Sequence, residues 1–251
     1  MTGPIVTIAV PSYNQGQYLD AALTSIFDHS MPVEVFVLDG GSTDNTLAVI
    51  QKWAPRLSGW RSRPDNGQAA SINEGIASGT APFVSWLNSD DYYLPGALEK
   101  LLAALEVHPH SAVAYGRTFN LNQQSGKLRP AWVEPFDARR LAVRCIVSQP
   151  GTLIRRSAWE AVGGLDPALQ MVMDYDLWWR LYLDFGPLCF VAEEVAVNRD
   201  HGATKTNTHR FRHYSEAIGI VRKHNGTVPI KWWLAQPYAV WYKTLMNKFG
   251  S

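Results

Sequence analysis

The chain has 251 residues, 46% of them hydrophobic and 12% aromatic, enough for one substantial core and far from the composition of a disordered segment. Lysine and arginine total 23 against 22 aspartates and glutamates, a net charge of +1, so no overall field draws in nucleic acid and any anion must be held locally. Cys145 and Cys189 lie far apart without zinc or redox spacing, the start does not resemble a leader, and no run nears the roughly 20 apolar residues that span a bilayer, so a cytoplasmic protein is expected.

From Ile5 to about His108, short β-branched apolar runs alternate with stretches of helical period. Ile5 to Val10, Val33 to Leu38 and Phe83 to Leu87 predict buried strands; Gln17 to His29, Asp44 to Trp53, Gln68 to Ala77 and Pro95 to His108 predict helices. This alternation implies an α/β domain with a mainly parallel central sheet flanked by helices, and ligands beyond the carboxyl ends of its strands. The polar clusters fall at those ends: PSYNQGQ, DGGSTDNT and SDD. In the second, Gly40 and Gly41 permit a tight turn, Ser42, Thr43 or Asp44 can cap the next helix, and the amino end of that helix favours an anion. In the third, Asp90 and Asp91 stand side by side after an apolar strand. Neighbouring carboxylates repel, more so when partly buried, unless a cation or hydrogen-bond donors offset the charge.

After His108 the alternation fades. Tyr115 to Asn122 predicts a strand, NQQSGK a turn, and Pro130 to Val147 an irregular stretch with Arg139, Arg140 and Arg144 on a short helix. SQPGTLIRRSAWEAVGGLD reads as a strand, a helix from about Ser157 to Val162 and a Gly-Gly stop. Arg155 and Arg156 are candidates to face a phosphate or acceptor, although on a strand end one must point away from the other. Asp174 to Asp184 predicts a helix with Leu177, Trp178, Leu181 and Tyr182 on its apolar face, and Asp176 placed to cap it or to pair with Arg180. Gln149 and Trp178 or Trp179 are candidate ligand contacts, since aromatic faces suit sugar rings, and the tryptophans read also as core. The tail, with Trp232, Trp233, Tyr238, Trp241, Tyr242 and Phe249 among Lys231, Lys243 and Lys248, suits a peripheral contact at the inner face of the cell membrane, packing onto the domain, or packing against a second subunit in an oligomer.

The ordered blocks VPSYNQGQYLDAALTSI, VLDGGSTDNT, RPDNGQAASINEGI, LNSDDYYLPGALE, GTLIRRSAWEAVGGLD and MDYDLWWRL resemble the family 2 glycosyltransferases, inverting, nucleotide-sugar-dependent enzymes of the GT-A fold. The resemblance spans roughly residues 5 to 205. It implies a domain over 1–225, with a nucleotide-binding half (1–108) and an acceptor-binding half (109–225), followed by the tail at 226–251. It further implies a nucleotide-diphosphate sugar donor, UDP- or dTDP-linked by preference, and a carbohydrate or lipid-linked acceptor in polysaccharide, O-antigen or glycolipid synthesis. A sugar nucleotidyltransferase and a non-catalytic nucleotide-sugar binding module are the alternatives.

By the same resemblance, Pro11, Tyr13 and Asn14 contact the base, Asp39 accepts the imide hydrogen of uracil or thymine, and Asp65, Gly67 and Gln68 contact base or ribose. Asn73 holds its loop against a helix. Asp91 is the expected ligand of Mn2+ or Mg2+ and Asp90 the partner of the ribose or a metal-bound water, two roles that are exchangeable. Asn88 and Gly40 stand where many relatives have an Asp. His201 is a further expected metal ligand, Lys205 a phosphate partner, and Asp174 the general base.

Overall fold

A computed structural model of the chain describes residues 3–201 and 210–236. In the first half, β1 (Val6–Ser12), β2 (Val33–Asp39), β3 (Gly59–Ser62) and β4 (Phe83–Trp86) alternate with α1 (Gly16–Phe27), α2 (Thr46–Trp53) and α3 (Gln68–Ala77). These strands are parallel, in the order β3-β2-β1-β4. Next come β5 (Tyr92–Tyr93), α4 (Ala97–Val107), β6 (Val113–Asn122), β7 (Leu128–Pro130), α5 (Ala138–Val143) and β8 (Thr152–Arg155). The described chain continues through α6 (Arg156–Ala161), α7 (Met173–Phe185), β9 (Cys189–Asp200), α8 (Arg210–Asn225) and α9 (Ile230–Gln236). β8 lies antiparallel between β4 and β6, β9 runs parallel to β6, and β5 pairs with β9, so a single mixed sheet unites both halves. The parallel arrangement expected from the alternation is that of the first four strands, and the second half extends it with antiparallel neighbours.

Side-chain alternation lets each central strand serve two cores. Val6, Ile8 and Val10 of β1 pack on one face with Leu19, Leu23 and Ile26 of α1 and Leu98, Leu101 and Leu105 of α4. Ala9 belongs to the opposite face, with Ile72 and Ile76 of α3, Trp159 of α6 and Leu177 and Trp178 of α7. The spacing of three and four along α1 and α4 is that of a single buried helical stripe.

Several second-half candidates prove structural. Trp178 and Trp179 are both core: Trp178 stacks on Trp86 with ring centroids 5.9 Å apart, and Trp179 on His224 at 6.2 Å. Arg155 donates to the carbonyls of Ser111 and Leu105, and Arg156 to those of Ala81 and Ile76 and to the Thr7 hydroxyl, so neither arginine faces a phosphate or acceptor. Asn73 donates to the Leu165 carbonyl at 2.8 Å and accepts the Leu165 amide at 3.0 Å, so its hydrogen bonds tie α3 to the loop before α7 rather than to its own preceding loop. Of the tail, Trp232 packs on the domain and donates to the Ala142 carbonyl at 2.8 Å, whereas Trp233 and Leu234 are exposed. Tyr238, Trp241, Tyr242, Lys243, Lys248 and Phe249 lie outside the described residues. No described helix is long and apolar enough to cross a membrane.

Asp176 fixes α7 against α8. Wholly buried, it accepts hydrogen bonds from Arg180 Nε at 2.6 Å, His224 Nε2 at 2.7 Å and Lys223 Nζ at 3.2 Å. Burial works to raise its pKa, but the bonds from His224 and Arg180 outweigh it and hold the carboxyl well below the usual range. Removing one partner of such a cluster leaves buried charge uncompensated, so Asp176→Asn is expected to lower unfolding free energy by about 3 kcal/mol or more at pH 7. Because the folded pKa is depressed, this contribution is present above the unfolded carboxyl pKa of about 4 and fades as pH falls through the folded value. Urea melts of both proteins at pH 7 and pH 3 should therefore show a gap that narrows on acidification.

Candidate active site

In register, Ser12 of β1 sits beside Asp39 of β2, and Asp39 beside Ser62 of β3, so these strands end level and their loops open on one side. A cleft of about 1260 Å³ lies there. It gathers most of the expected site residues: Pro11, Tyr13, Asn14, Asp65, Gly67, Gln68, Asp90, Asp91, Asp174 and His201 all line it. Lys205 lies outside the described residues.

The loop after β1 is stapled to the loop after β2. Asn14 adopts a left-handed φ of 52°, a conformation asparagine tolerates better than most residues. Its Oδ1 accepts the Thr43 amide at 2.8 Å and its own amide donates to Ser42 Oγ at 2.7 Å. Asp44 accepts the amides of Thr46 at 2.9 Å and Gly16 at 3.0 Å. The amino end of α2, expected to favour a bound anion, is thus served by the protein's own carboxylate.

Asp39 does not reach the cleft. It has no exposed surface, and its carboxylate accepts the Ser42 hydroxyl, the Gly41 and Ser42 amides at 3.2 and 3.0 Å and the Ser62 hydroxyl at 2.6 Å. The turn and β3 use those acceptor positions, so Asp39 ties the strand ends together. Asp65 is the acid that stands at this end of the cleft. It accepts the Gly67 amide at 2.9 Å, the Ser71 hydroxyl and Arg61 Nη1 at 3.3 Å; burial acts to raise its pKa, and these bonds bring it below the usual value. Gly67, with φ of 100°, starts α3 in a conformation that a side chain would strain.

At the centre, Asp91 is 5% exposed. Burial, and then the charge of Asp90, raise its pKa well above the usual carboxylate range; the Arg199 amide at 2.9 Å and Asn88 Nδ2 at 3.2 Å offset part of this. Asn88 also accepts Gln68 Nε2 at 2.7 Å and donates to Gln149 Oε1 at 3.2 Å, while Gln149 donates to the Trp86 carbonyl at 2.7 Å. An aspartate at position 88 would add a third negative charge and remove both donors, which gives the asparagine a physical reason. Asp90 faces His201 Nε2 at 3.0 Å and Gln15 Nε2 at 3.3 Å. Two carboxylates and an imidazole nitrogen suit a hard divalent cation, and the unrelieved raising of Asp91 is what such a charge would lift. Among the described residues, however, no three His, Cys, Asp or Glu side chains are drawn into a ready coordination set.

Asp174, at the first turn of α7, lines the same cleft. Burial pushes its carboxyl up to about 6, against the Tyr175 amide that donates to it at 2.8 Å. Cys145 lines the cleft nearby, and burial together with the Asp174 charge raises its thiol, leaving no reactive thiolate. Sequence reasoning missed Gln15, Trp132 and His213 as cleft residues and Asn88 as a hub. Gln15 lay inside a loop block already marked as polar. Nothing in residue spacing marked Trp132 or His213, which enter from distant elements.

A mixed sheet of this order, with a cleft over its parallel half and acids at the centre, is the architecture of GT-A glycosyltransferases. Staphylococcus aureus TarS residues 1–349, solved with UDP-GlcNAc, superposes with a TM-score of 0.72 over 88% of this chain and 66% of that one, at 19% identity. The Pyrobaculum calidifontis mannosyltransferase PcManGT, solved with GDP-Man and Mn2+, gives 0.67 over 100% and 77%, at 18% identity. The profile of glycosyl transferase family 2 matches residues 7–160, and the chain belongs to that family. It is 27% identical over 182 residues to the chondroitin synthase of Pasteurella multocida, covering 71% of this chain but only 19% of the synthase. An uncharacterized glycosyltransferase of Rickettsia typhi is 25% identical over 216 residues, with 82% and 67% covered.

The staple between the first two loops allows a direct test. A Cβ on Gly16 would stand 2.3 Å from Asn45 Oδ1 and 2.5 Å from the Thr46 amide nitrogen, so backbone must move to admit it. Gly16→Ala is expected to lower stability by about 1–3 kcal/mol, as overpacking does, and to weaken nucleotide binding, measured by denaturant melts and by titration with UDP.

Proposed function

We propose that the chain transfers a sugar from a nucleotide-diphosphate donor to an acceptor hydroxyl with inversion, residues 1–108 holding the nucleotide and 109–225 the acceptor. The observation that carries this reading is a carboxyl raised to about 6, Asp174, on the wall of the same cleft as the paired Asp90 and Asp91. Asp174 takes the proton of the acceptor hydroxyl as its oxygen attacks the anomeric carbon from the face opposite the departing diphosphate, and a single base acting in this way gives inversion. Asp90, Asp91 and His201 would hold Mn2+ or Mg2+, which would supply positive charge to the departing diphosphate. The presence of Mn2+ in the PcManGT structure supports a divalent ion.

For the nucleotide, UDP- or dTDP-linked donors are favoured. Tyr13, Gly40 and Asp65 line the cleft together, and Asp65 can accept the imide hydrogen of uracil or thymine in place of the buried Asp39. TarS, the structural neighbour solved with UDP-GlcNAc, is consistent with this choice.

Release of UDP from several UDP-sugars, with Mn2+ and then with a chelator, tests the reading; no consumption of any nucleotide sugar would reject it. Thermal shifts with Mn2+ should be larger for UDP and dTDP than for GDP, and equal shifts would remove the base preference alone. Activity requires ionised Asp174, so kcat/KM should rise with pH to a plateau above about 6 and fall about tenfold per unit below it. Asp174→Asn should reduce kcat by at least about 100-fold with UDP affinity nearly kept. Its melting temperature at pH 8 should equal or exceed that of the parent, because a raised carboxyl pKa means that ionisation opposes folding above that pH. Full turnover in the variant would exclude Asp174 as the base.

A further inference from the structure

The acceptor end of the cleft contains a cation without a carboxylate of its own. Arg144, the residue that ends α5, lines the cleft and lies 4.0 Å from the centroid of the Trp132 ring, which is 60% exposed and also lines it. Stacking over an aromatic face uses none of the five N–H donors of a guanidinium. The Arg144 side chain makes no hydrogen bond or ion pair among the described residues, and its Nε is buried without a partner. The acid nearest in charge, Glu134, is already committed: both of its oxygens receive Arg140, at 2.7 Å each, and one also receives the Trp132 indole N–H. Burial lowers the Arg144 pKa, the sign of a cation whose surroundings fail to replace its hydration. His213 also lines the cleft, and its buried Nδ1 lacks a partner among the described residues.

Cys145, the next residue along the chain, is close enough to Asp174 to feel its charge, so the segment that carries Arg144 borders the wall with the proposed base. We propose that the acceptor is an anionic glycan, whose carboxylate or phosphate is bound by Arg144 next to the Trp132 face. This rests on the transfer reading above and names its acceptor class. The division of labour is physical: an anion docked on Arg144 satisfies the unused donors, while Trp132 offers an apolar face to a sugar ring and Asp174 meets a hydroxyl rather than a second negative charge. A neutral acceptor would leave the guanidinium unpaired, which disfavours it.

The test is equilibrium binding, by ligand-observed NMR, of methyl β-D-glucuronide, ribitol 5-phosphate and neutral methyl β-D-glucoside to the full chain loaded with UDP and Mn2+. At least one charged probe should bind roughly tenfold or more tightly than the glucoside, and added salt should erode the difference. Preference for the glucuronide identifies a carboxylate acceptor, and preference for the ribitol phosphate a phosphate-bearing one. Arg144→Gln should bring the charged probes to the level of the glucoside, whereas Arg144→Lys should restore part of the gap. The salt dependence of the unaltered chain provides the same test should the glutamine variant not fold. Equal binding of charged and neutral probes overturns the proposal, as does a preference that survives in Arg144→Gln. Anion preference in a chain that consumes no nucleotide sugar would support the site and reject the transfer reading, so the two failures are separable.

Discussion

The level ends of β1, β2 and β3 depend on one buried carboxylate. Asp39 has no contact with water, so every hydrogen bond it loses leaves charge unpaired in the interior. Its partners come from its own turn and from Ser62, and Ser42 in turn accepts the Asn14 amide. A single acid thereby joins three strand ends and shapes the floor of the cleft. The loops there are long in polar residues yet fixed, because their side chains hydrogen-bond to neighbouring backbone.

A second anchor works from the opposite wall. Two residues along a helix turn the side chain through about 200°, so Asp174 and Asp176 cannot face the same way. Asp176 points into the cluster with Arg180, Lys223 and His224, and Asp174 is left on the cleft side. The acid that stabilises the helix is thus also what orients the acid proposed for chemistry. Their opposite pKa displacements follow: one carboxylate is surrounded by donors, and the other is desolvated with few.

Between these anchors, the Asp90–Asp91 pair is held open by groups that relieve its charge only in part. Asn88 and the Arg199 amide each take one oxygen of Asp91, Gln15 and His201 share one oxygen of Asp90, and the raised pKa of Asp91 is the remainder. Under the proposed transfer, that remainder is what a divalent ion would offset. The proposed anionic acceptor would meet the complementary imbalance on the same cleft, a guanidinium with no hydrogen-bond or ion-pair partner among the described residues.

Much of this was legible along the chain. Short continuous apolar runs located β1, β2 and β4, and three-four spacing located α1 to α4, because these elements bury local, regular patterns. β3 and β5, four and two residues long, were too short to show a period, and α8 has its buried residues confined to Ala217, Ile218, Ile220 and Val221. The family motifs brought ten expected residues to one cleft, since loops at parallel strand ends share a side by topology alone. What the amino-acid order determined by itself was therefore the alternating α/β pattern and which loops meet. Only the tertiary structure decided that Asp39 is buried among the donors of its own turn and Ser62, that Trp178, Trp179, Arg155 and Arg156 are internal, and that the Arg144 side chain has no hydrogen-bond or ion-pair partner among the described residues. Those roles depend on donors from residues distant in the chain, and no local spacing encodes them.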